Sequence, residues 1–166
     1  YRAVGLAALR ERISLDDKPA LARLATSMDI RFTSRTDGAA AAVLLHGEEI
    51  GDQLRTEESG KLASIVAAIP DVRSALLQKQ HSFRQSPGLV ADGRDMGSTV
   101  FPDAILKVYL TASPEVRAER RYKQLIDKGF DVNLPRLLDE IRERDARDAG
   151  RAVSPLKTAP DACILD

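Results

Sequence analysis

The sequence predicts an α/β fold in which helices flank a mostly parallel sheet, with a small antiparallel β insertion in the first half. Two short apolar runs, residues 89–91 and 105–110, stand between helical stretches, which is typical of strands buried on both faces. The helical stretches begin and end at capping residues, glycine or proline. Three short β-type runs between residues 30 and 50 are separated by turn residues, which indicates a hairpin.

The first half of the chain predicts four helices and three strands. The helices are expected at residues 1–9, 15–27, 57–68 and 71–85, and the strands at 30–34, 40–46 and 48–50. Ser14 would cap the second helix, because a serine hydroxyl can accept from a backbone amide of the first turn. Pro70 would end the third helix and Asp71 would cap the fourth. Residues 35–38 would form the turn between the first two strands.

The second half predicts strands and helices in alternation. Three strands are expected, at residues 89–91, 105–110 and 162–165. Ser113 would cap a helix that Gly129 ends, because serine accepts from first-turn amides and glycine tolerates the left-handed backbone after a helix. A last helix would run over residues 133–150. The final strand would be buried, with Cys163 as a small core residue.

The composition excludes several classes of protein. Lysine plus arginine and aspartate plus glutamate balance at 25 each, which argues against a protein that coats nucleic acid. No apolar run approaches the roughly 20 residues of a membrane span, so no membrane partner is expected. The single cysteine permits no internal disulfide and indicates the cytoplasm. His46 and His81 have no metal-ligand spacing with Cys163, so the sequence predicts no metal-ligating residues.

The first candidate for chemistry is the segment DGRDMG at residues 92–97, which directly follows an apolar run. Ligands of open α/β sheets bind beyond the carboxyl ends of the strands. Arg94 could hold a phosphate in a forked geometry, and Asp95 could accept hydrogen bonds from an amino group. The alternative is a polar turn with a surface ion pair, and spacing alone does not decide between the two.

The second candidate is the helix over residues 133–150. Its apolar stripe of Leu134, Leu137, Leu138 and Ile141 continues at helical spacing into Arg144, Asp148 and Arg151. Charge is costly to bury unless it is paired or solvated in a cleft. The helix is therefore expected to leave the core for a polar cavity, and the alternative is a frayed, solvated end with ion pairs such as Arg144 with Asp148.

The third candidate is a basic run on the preceding helix. Arg117, Arg120 and Arg121 share one face, followed by Lys123. Arginines on a mobile helix can stabilise the charge that spreads over a transferring phosphoryl group. The alternative is an ordinary solvated face.

These segments together resemble the bacterial cytidylate kinases, a family of nucleoside monophosphate kinases. The resemblance covers the whole chain and rests on stretches in the family's order and spacing, at residues 1–2, 92–97, 100–104, 128–130, 143–145 and 151–156. It implies the P-loop nucleoside monophosphate kinase fold over residues 1–166 as a single kinase domain. The NMP-binding region, which would contain the β insertion, is expected at about residues 28–85, and a helical lid at about 115–135.

The resemblance implies a monomeric enzyme that transfers a phosphoryl group from ATP to CMP or dCMP, with Mg²⁺ as cofactor. The implied contacts to the CMP phosphate come from Arg2, Arg94 and Arg151. The cytosine edge would be read by Ser64, Arg73 and Asp95, and Tyr1 would line the pocket. Arg144 and Asp148 would contact the sugar or bridge towards the phosphates. The implied catalytic residues are Arg94, Arg120, Arg121, Arg144 and Arg151, and the adenine of ATP would pass near Pro155 and Leu156.

One family feature does not occur in these 166 residues. No G-x-x-x-x-G-K-[ST] sequence is present, although that loop cradles the ATP phosphates in P-loop enzymes. We expect the natural protein to carry the loop ahead of Tyr1 and a final helix after Asp166, and the 166 residues alone to be inactive. The alternative from another class is a non-catalytic nucleotide-binding domain without a P-loop. RNA binding through the lid arginines is disfavoured by the neutral net charge and the 4% aromatic content.

Overall fold

The computed structural model describes residues 1–33, 41–127 and 129–166. It confirms the mixed α/β class: helices accompany one small antiparallel sheet and one small parallel sheet. The chain divides into two compact units, Tyr1–Gln85 and Ser86–Asp166. The expected NMP-binding region falls within the first unit and the expected lid within the second.

The first unit contains five helices and three strands among its described residues. The helices are α1 Arg2–Arg10, α2 Lys18–Ser27, α3 Gly51–Leu54, α4 Glu57–Val66 and α5 Pro70–Ser82. The strands are β1 Ile30–Thr33, β2 Ala42–Leu45 and β3 Glu48–Glu49. The short helix α3 was not expected from the sequence.

The predicted antiparallel insertion is confirmed. The strands pair in the order β1-β2-β3, with Ile30 opposite Leu45 and Leu44 opposite Glu49. A tight turn joins β2 to β3 through Gly47, which has a φ of +85°, a backbone conformation that glycine adopts without steric cost. The predicted turn at residues 35–38 lies outside the described residues.

The core of the first unit forms where α1 packs on α4 and α2 packs on α5. Val4 and Val66 are fully buried, as are Leu21 and Val72. The α1–α4 contact is close at Gly5, because a Cβ there would lie 2.6 Å from Cβ of Leu62. Because α1 presents a glycine to α4 at this point, the two helix backbones can approach each other.

Two predicted helix starts are wrong. Asp17, and not Ser14, caps α2, and its carboxylate accepts from the amide of Ala20 at 2.9 Å. A start at residue 15 would have placed Pro19 inside the helix, where its missing N–H and its ring are unfavourable. For the same reason Pro70 begins α5 instead of ending α4, and Asp71 lies in the first turn of α5 without capping it.

Among its described residues, the second unit contains two helices, two strands and a π-helical turn. The helices are α6 Pro114–Ile126 and α7 Leu134–Ala149, the strands are β4 Val108–Leu110 and β5 Cys163–Leu165, and the turn is Met96–Val100. The predicted helix ends are confirmed. Ser113 accepts from the amide of Val116, Asn133 accepts from the amide of Arg136, and Gly150 is the C-cap of α7.

Two strand predictions in the second unit need correction. Strands β4 and β5 pair in parallel, with Val108 opposite Cys163. Strand β4 begins only at Val108 and is therefore shorter than the expected 105–110. Ile105, which lies ahead of the strand, is fully exposed. Residues 89–91 form no strand, and Val90 is fully exposed. A strand needs a hydrogen-bonded neighbour, and an apolar run alone does not supply one.

Cys163 was expected in the core, and this prediction is wrong. Cys163 is exposed, and so are its neighbours Ile164 and Leu165. A two-stranded sheet buries little surface by itself, so an apolar strand in it stays accessible unless other elements pack on its faces. Within the part of the chain that the structure describes, no helix is both long and apolar enough to cross a membrane.

Candidate active site

The centre of the site is the carboxylate of Asp148, in the last turn of α7. Asp148 is only 2% exposed, and guanidinium groups surround it. Its Oδ2 lies 3.1 Å from Nε of Arg94 and 3.8 Å from Nε of Arg144, and its Oδ1 lies 3.8 Å from Nη1 of Arg151. Within the second unit, the guanidinium groups of Arg94, Arg144 and Arg151 therefore meet at Asp148, and their expected contact with a nucleotide stays a prediction.

A second carboxylate, Asp145, lies one turn earlier on α7 and joins two arginines. Its Oδ1 accepts from Nη1 of Arg94 at 3.0 Å, and its Oδ2 accepts from Nη2 of Arg117 at 2.5 Å. Nη1 of Arg117 also donates to Oδ1 at 3.2 Å, which makes the Arg117 contact bidentate. Asp145 thus links α6 to the segment that carries Arg94.

These contacts determine the protonation of Asp145. Burial alone would raise the pKa of its carboxyl group, but the hydrogen bonds from Arg117 and Arg94 outweigh burial, so the pKa lies below its ordinary value. Asp145 is therefore ionised throughout the neutral range. It remains a charged acceptor that competes with any incoming anion for both arginines.

The cluster carries more positive than negative charge. Four guanidinium groups, those of Arg94, Arg117, Arg144 and Arg151, face the two carboxylates of Asp145 and Asp148, which leaves a net charge of two positive units. The side chain of Arg151 is 6% exposed, and its Nε and Nη2 have no hydrogen-bond partner among the described residues. Buried donors without acceptors are costly. This arrangement favours an anion that supplies several acceptor oxygens.

Local contacts hold the turn that directly follows Arg94. Asp95 begins the π-helical turn, and its carbonyl accepts from the amides of Thr99 and Val100. Gly97 allows the turn to pass close to Lys107, because a Cβ at Gly97 would lie 3.1 Å from Cγ of Lys107. Nζ of Lys107 in turn donates to the carboxylate of Asp161 at 2.6 Å and to the carbonyl of Pro102 at 2.7 Å. The turn after Arg94 is therefore fastened at its far end.

The segment after α7 folds back onto the helix. The amide of Leu156 donates to the carbonyl of Asp148 at 2.8 Å, and Ser154 adopts a φ of +50°. This path places Arg151 beside Asp148 and brings Pro155 and Leu156 to the end of α7. Their expected contact with adenine stays a prediction.

In the first unit, the structure pairs two of the predicted site residues. The guanidinium carbon of Arg73 lies 5.2 Å from the centre of the Tyr1 ring, within the range of a cation–π contact. Arg73 is 7% exposed and donates to the carbonyl of Ala67 at 3.3 Å. Ser64 is buried on α4. Arg2 donates from Nη1 to the carbonyl of Leu54 at 2.5 Å.

The predicted lid arginines differ in their surroundings. Arg117 is held by Asp145 and by the carbonyl of Ala112, to which its Nε donates at 3.1 Å. Arg120 is exposed, and Nη1 of Arg121 lies 3.4 Å from the side-chain oxygen of Gln124. The catalytic role expected of Arg120 and Arg121 therefore stays a prediction.

Sequence reasoning missed Asp145 as a site residue. The signal was present, because Asp145 lies four residues after Ile141 and so continues the apolar stripe of α7 as directly as Arg144 does. The solvated helix end considered as the alternative is excluded for Asp148. The Arg144–Asp148 ion pair exists, but its carboxylate is buried.

The lowered pKa of Asp145 predicts how stability depends on pH. A carboxyl group whose pKa is depressed by folding stabilises the protein above its unfolded pKa of about 3.9, and this contribution is lost as pH falls through the folded pKa. Asp145→Asn should reduce the free energy of unfolding by about 1–3 kcal/mol at pH 7, and the difference from wild type should shrink below about pH 4.

Urea denaturation between pH 3 and pH 7 at constant ionic strength measures this difference. Asp139→Asn is the matched control, since Asp139 lies exposed on the same helix, and it should differ little from wild type at any pH. A wild-type advantage over Asp145→Asn that stays constant down to pH 3 would contradict the prediction.

Comparison with known proteins identifies the family of the chain. The model of the cytidylate kinase family matches residues 1–166. Over all 166 residues, the chain is 57% identical to the cytidylate kinase of Aeromonas salmonicida (strain A449), covering 71% of that protein. It is 55% identical to the cytidylate kinase of Pseudomonas paraeruginosa and 54% identical to that of Klebsiella pneumoniae (strain 342), covering 72% of each. The chain therefore belongs to the cytidylate kinase family.

Proposed function

We propose that this protein transfers the γ-phosphoryl group of ATP to CMP or dCMP, giving CDP or dCDP and ADP. The family membership supports the reaction class. The observation that carries the proposal is the excess of guanidinium groups around Asp145 and Asp148, together with the buried donors of Arg151. A nucleoside monophosphate brings about two negative charges on one phosphate group, which matches that excess.

In this proposal Arg94 and Arg151 hold the phosphate of CMP. Arg151 offers Nε and Nη2, and Arg94 is already oriented by two carboxylates. The family resemblance adds Arg2 to this set. Arg144 and Asp148 contact the sugar or bridge towards the phosphates, a role for which a carboxylate suits a hydroxyl donor and a guanidinium suits an anion.

Recognition of the base is assigned to Asp95, Ser64 and Arg73, with Tyr1 lining the pocket. Asp95 is 4% exposed, so its carboxylate can discriminate strongly, because a buried acceptor loses most when its donor is replaced by another acceptor. Cytosine presents an amino group where uracil presents an oxygen. This difference is the proposed basis for preferring CMP over UMP.

The chemistry then consists of positioning and electrostatic stabilisation. A phosphate oxygen of CMP attacks the γ-phosphorus, the bond to the oxygen that bridges the β- and γ-phosphorus breaks, and that oxygen leaves with ADP. Negative charge is spread over the transferring group, and planar guanidinium groups can follow it. The proposed catalytic residues are Arg94, Arg120, Arg121, Arg144 and Arg151, and Pro155 and Leu156 lie near the adenine of ATP.

Mg²⁺ is the proposed cofactor, and it would neutralise negative charge on the phosphates of ATP. The residues that the structure describes contain no group of three or more His, Cys, Asp or Glu side chains that could hold a metal ion. Mg²⁺ usually binds through one or two carboxylates together with substrate phosphates, and no step above runs through the ion. We propose that it arrives with ATP.

The proposed setting is the cytoplasm, where the protein acts as a monomer on small molecules, without a nucleic-acid or membrane partner. The support is the balanced charge and the single cysteine, which is exposed as a thiol. Exposed thiols persist in reducing compartments.

The first prediction concerns the acceptor. Coupled measurement of ADP release by the natural full-length protein should give the highest kcat/KM with CMP and dCMP, a lower value with UMP and the lowest with AMP. AMP outperforming CMP would contradict the proposed specificity. Binding of CMP without any ADP release would instead favour the non-catalytic nucleotide-binding domain.

The second prediction concerns Asp95. Asp95→Ala should reduce kcat/KM for CMP more than for UMP, so that the ratio of the two falls by about 10- to 100-fold, the equivalent of one lost hydrogen bond to a charged group. The ratio is the chosen measure because a partly unfolded preparation lowers both values equally. Equal losses for the two substrates would show that Asp95 is structural.

The third prediction concerns Arg151. Arg151→Lys keeps the charge but loses the planar fork, so the KM for every monophosphate should rise by about 10-fold or more. Arg136→Lys is the matched control, because Arg136 lies on α7 with a side chain that is 80% exposed, and its KM should stay unchanged. An unchanged KM for Arg151→Lys would remove Arg151 from the phosphate site.

A further inference from the structure

Asp145 has no contact to substrate in the function proposed above, yet it joins two arginines from different segments. We propose that Asp145 is a positioning residue for phosphoryl transfer, which fixes the base of helix α6 and orients Arg94 at the same time. This inference rests on the proposed function, because it assigns Arg94 to the phosphate.

The first step is the anchoring of α6. All three nitrogens of the Arg117 guanidinium group donate hydrogen bonds: Nε to the carbonyl of Ala112, and Nη1 and Nη2 to Asp145. A second ion pair, Nη2 of Arg142 to Oε1 of Glu115 at 2.7 Å, joins the same turn of α6 to α7, but it is about half exposed on both sides and so contributes little. Of these two described ion pairs of α6, Arg117–Asp145 is the less exposed and therefore the stronger anchor.

The second step is the orientation of Arg94. Its Nε faces Asp148 at 3.1 Å and its Nη1 faces Asp145 at 3.0 Å. Two carboxylates on successive turns of one helix fix the plane of a guanidinium group, whereas Asp148 alone would leave it able to rotate. With both in place, Nη2 of Arg94 has a defined direction in which to meet a phosphate oxygen.

The third step is the charge balance. Arg94 and Arg117 share the Oδ1 atom of Asp145, so the two cations are held close together by one anion. An asparagine at this position would keep the shape but leave two guanidinium groups facing a neutral amide. Like charges would then drive Arg94 and Arg117 apart, and Arg94 would no longer be aligned when charge develops on the transferring group.

The expected signature is a loss in kcat without a matching loss of CMP binding. Small misplacement of a catalytic group costs up to about 100-fold, whereas Arg94 keeps its charge and its contact to Asp148, and Arg151 still holds the phosphate of CMP. In the natural full-length protein, Asp145→Asn should lower kcat about 10- to 100-fold and change the KM for CMP less than about threefold. Asp145→Glu restores the carboxylate and should recover part of the lost kcat.

Two further measurements separate positioning from folding. Asp139→Asn makes the same chemical change on the exposed face of α7 and should leave both parameters unchanged. Arg117→Lys retains a folded, charged α6 without the bidentate contact and should repeat the kcat loss. The double variant Asp145→Asn with Arg117→Lys should be no worse than the more severe single variant, because the two residues act as one unit.

The outcomes decide the inference. A kcat within about twofold of wild type in Asp145→Asn overturns it, as does a kcat that falls only in proportion to the folded fraction measured by CMP titration calorimetry. Additive losses in the double variant also overturn it. If wild type and Asp139→Asn both fail to form CDP from CMP, the proposed function itself is wrong; if both are active and Asp145→Asn equals them, only this inference fails.

Discussion

The second unit depends on one constraint, the burial of the Asp148 carboxylate. A buried charge costs several kcal/mol unless it is paired, and the partners of Asp148 come from three places in the chain: the segment before the π-helical turn, α7 itself, and the segment that follows α7. Each partner must therefore reach the same point. The bond from the amide of Leu156 to the carbonyl of Asp148 fixes the third segment by its backbone as well.

The same constraint leaves the cluster around Asp145 and Asp148 with an excess of positive charge. Four guanidinium groups around two carboxylates repel one another, and the buried donors of Arg151 lack acceptors among the described residues. Both features cost free energy, and an anion with several oxygens relieves both. A ligand that binds only the folded state stabilises it, so the excess charge that weakens the unliganded protein is also what makes binding of an anionic nucleotide favourable. Stability has been given up locally at a functional site, as is common in enzymes.

The sequence predicted best those features that local chemistry decides. Asn133 and Gly150 delimit α7 as expected, because a capping side chain and a glycine act on amides and carbonyls only a few residues away. The prediction of Ser14 as the cap of α2 failed because Asp17 can also cap a helix, and a helix that begins after Asp17 places Pro19 in the first turn, where proline is tolerated. The predictions that residues 89–91 form a strand and that Cys163 is buried failed for another reason. Whether an apolar run pairs and is buried depends on distant segments, which periodicity does not specify.

The site residues also divide into those that local helical spacing predicted and those that it did not. The stripe of α7 placed Arg144, Asp148 and Arg151 on one face, but nothing local indicated that Arg94 would meet them. Both Arg144 and Asp145 continue the stripe after Ile141, at i+3 and i+4. Because the prediction followed only Arg144, it missed Asp145, the residue that joins two arginines.

Position along α6 also mattered more than charge. Arg117 and Arg120 are one turn apart with the same chemistry, yet Arg117 uses every guanidinium nitrogen to fasten α6 to its surroundings and Arg120 is exposed. Only an arginine that is not already committed can move to a phosphate without breaking the helix anchor. That difference arises from what lies opposite each residue, and it distinguishes Arg117, which anchors α6, from Arg120, whose side chain is exposed.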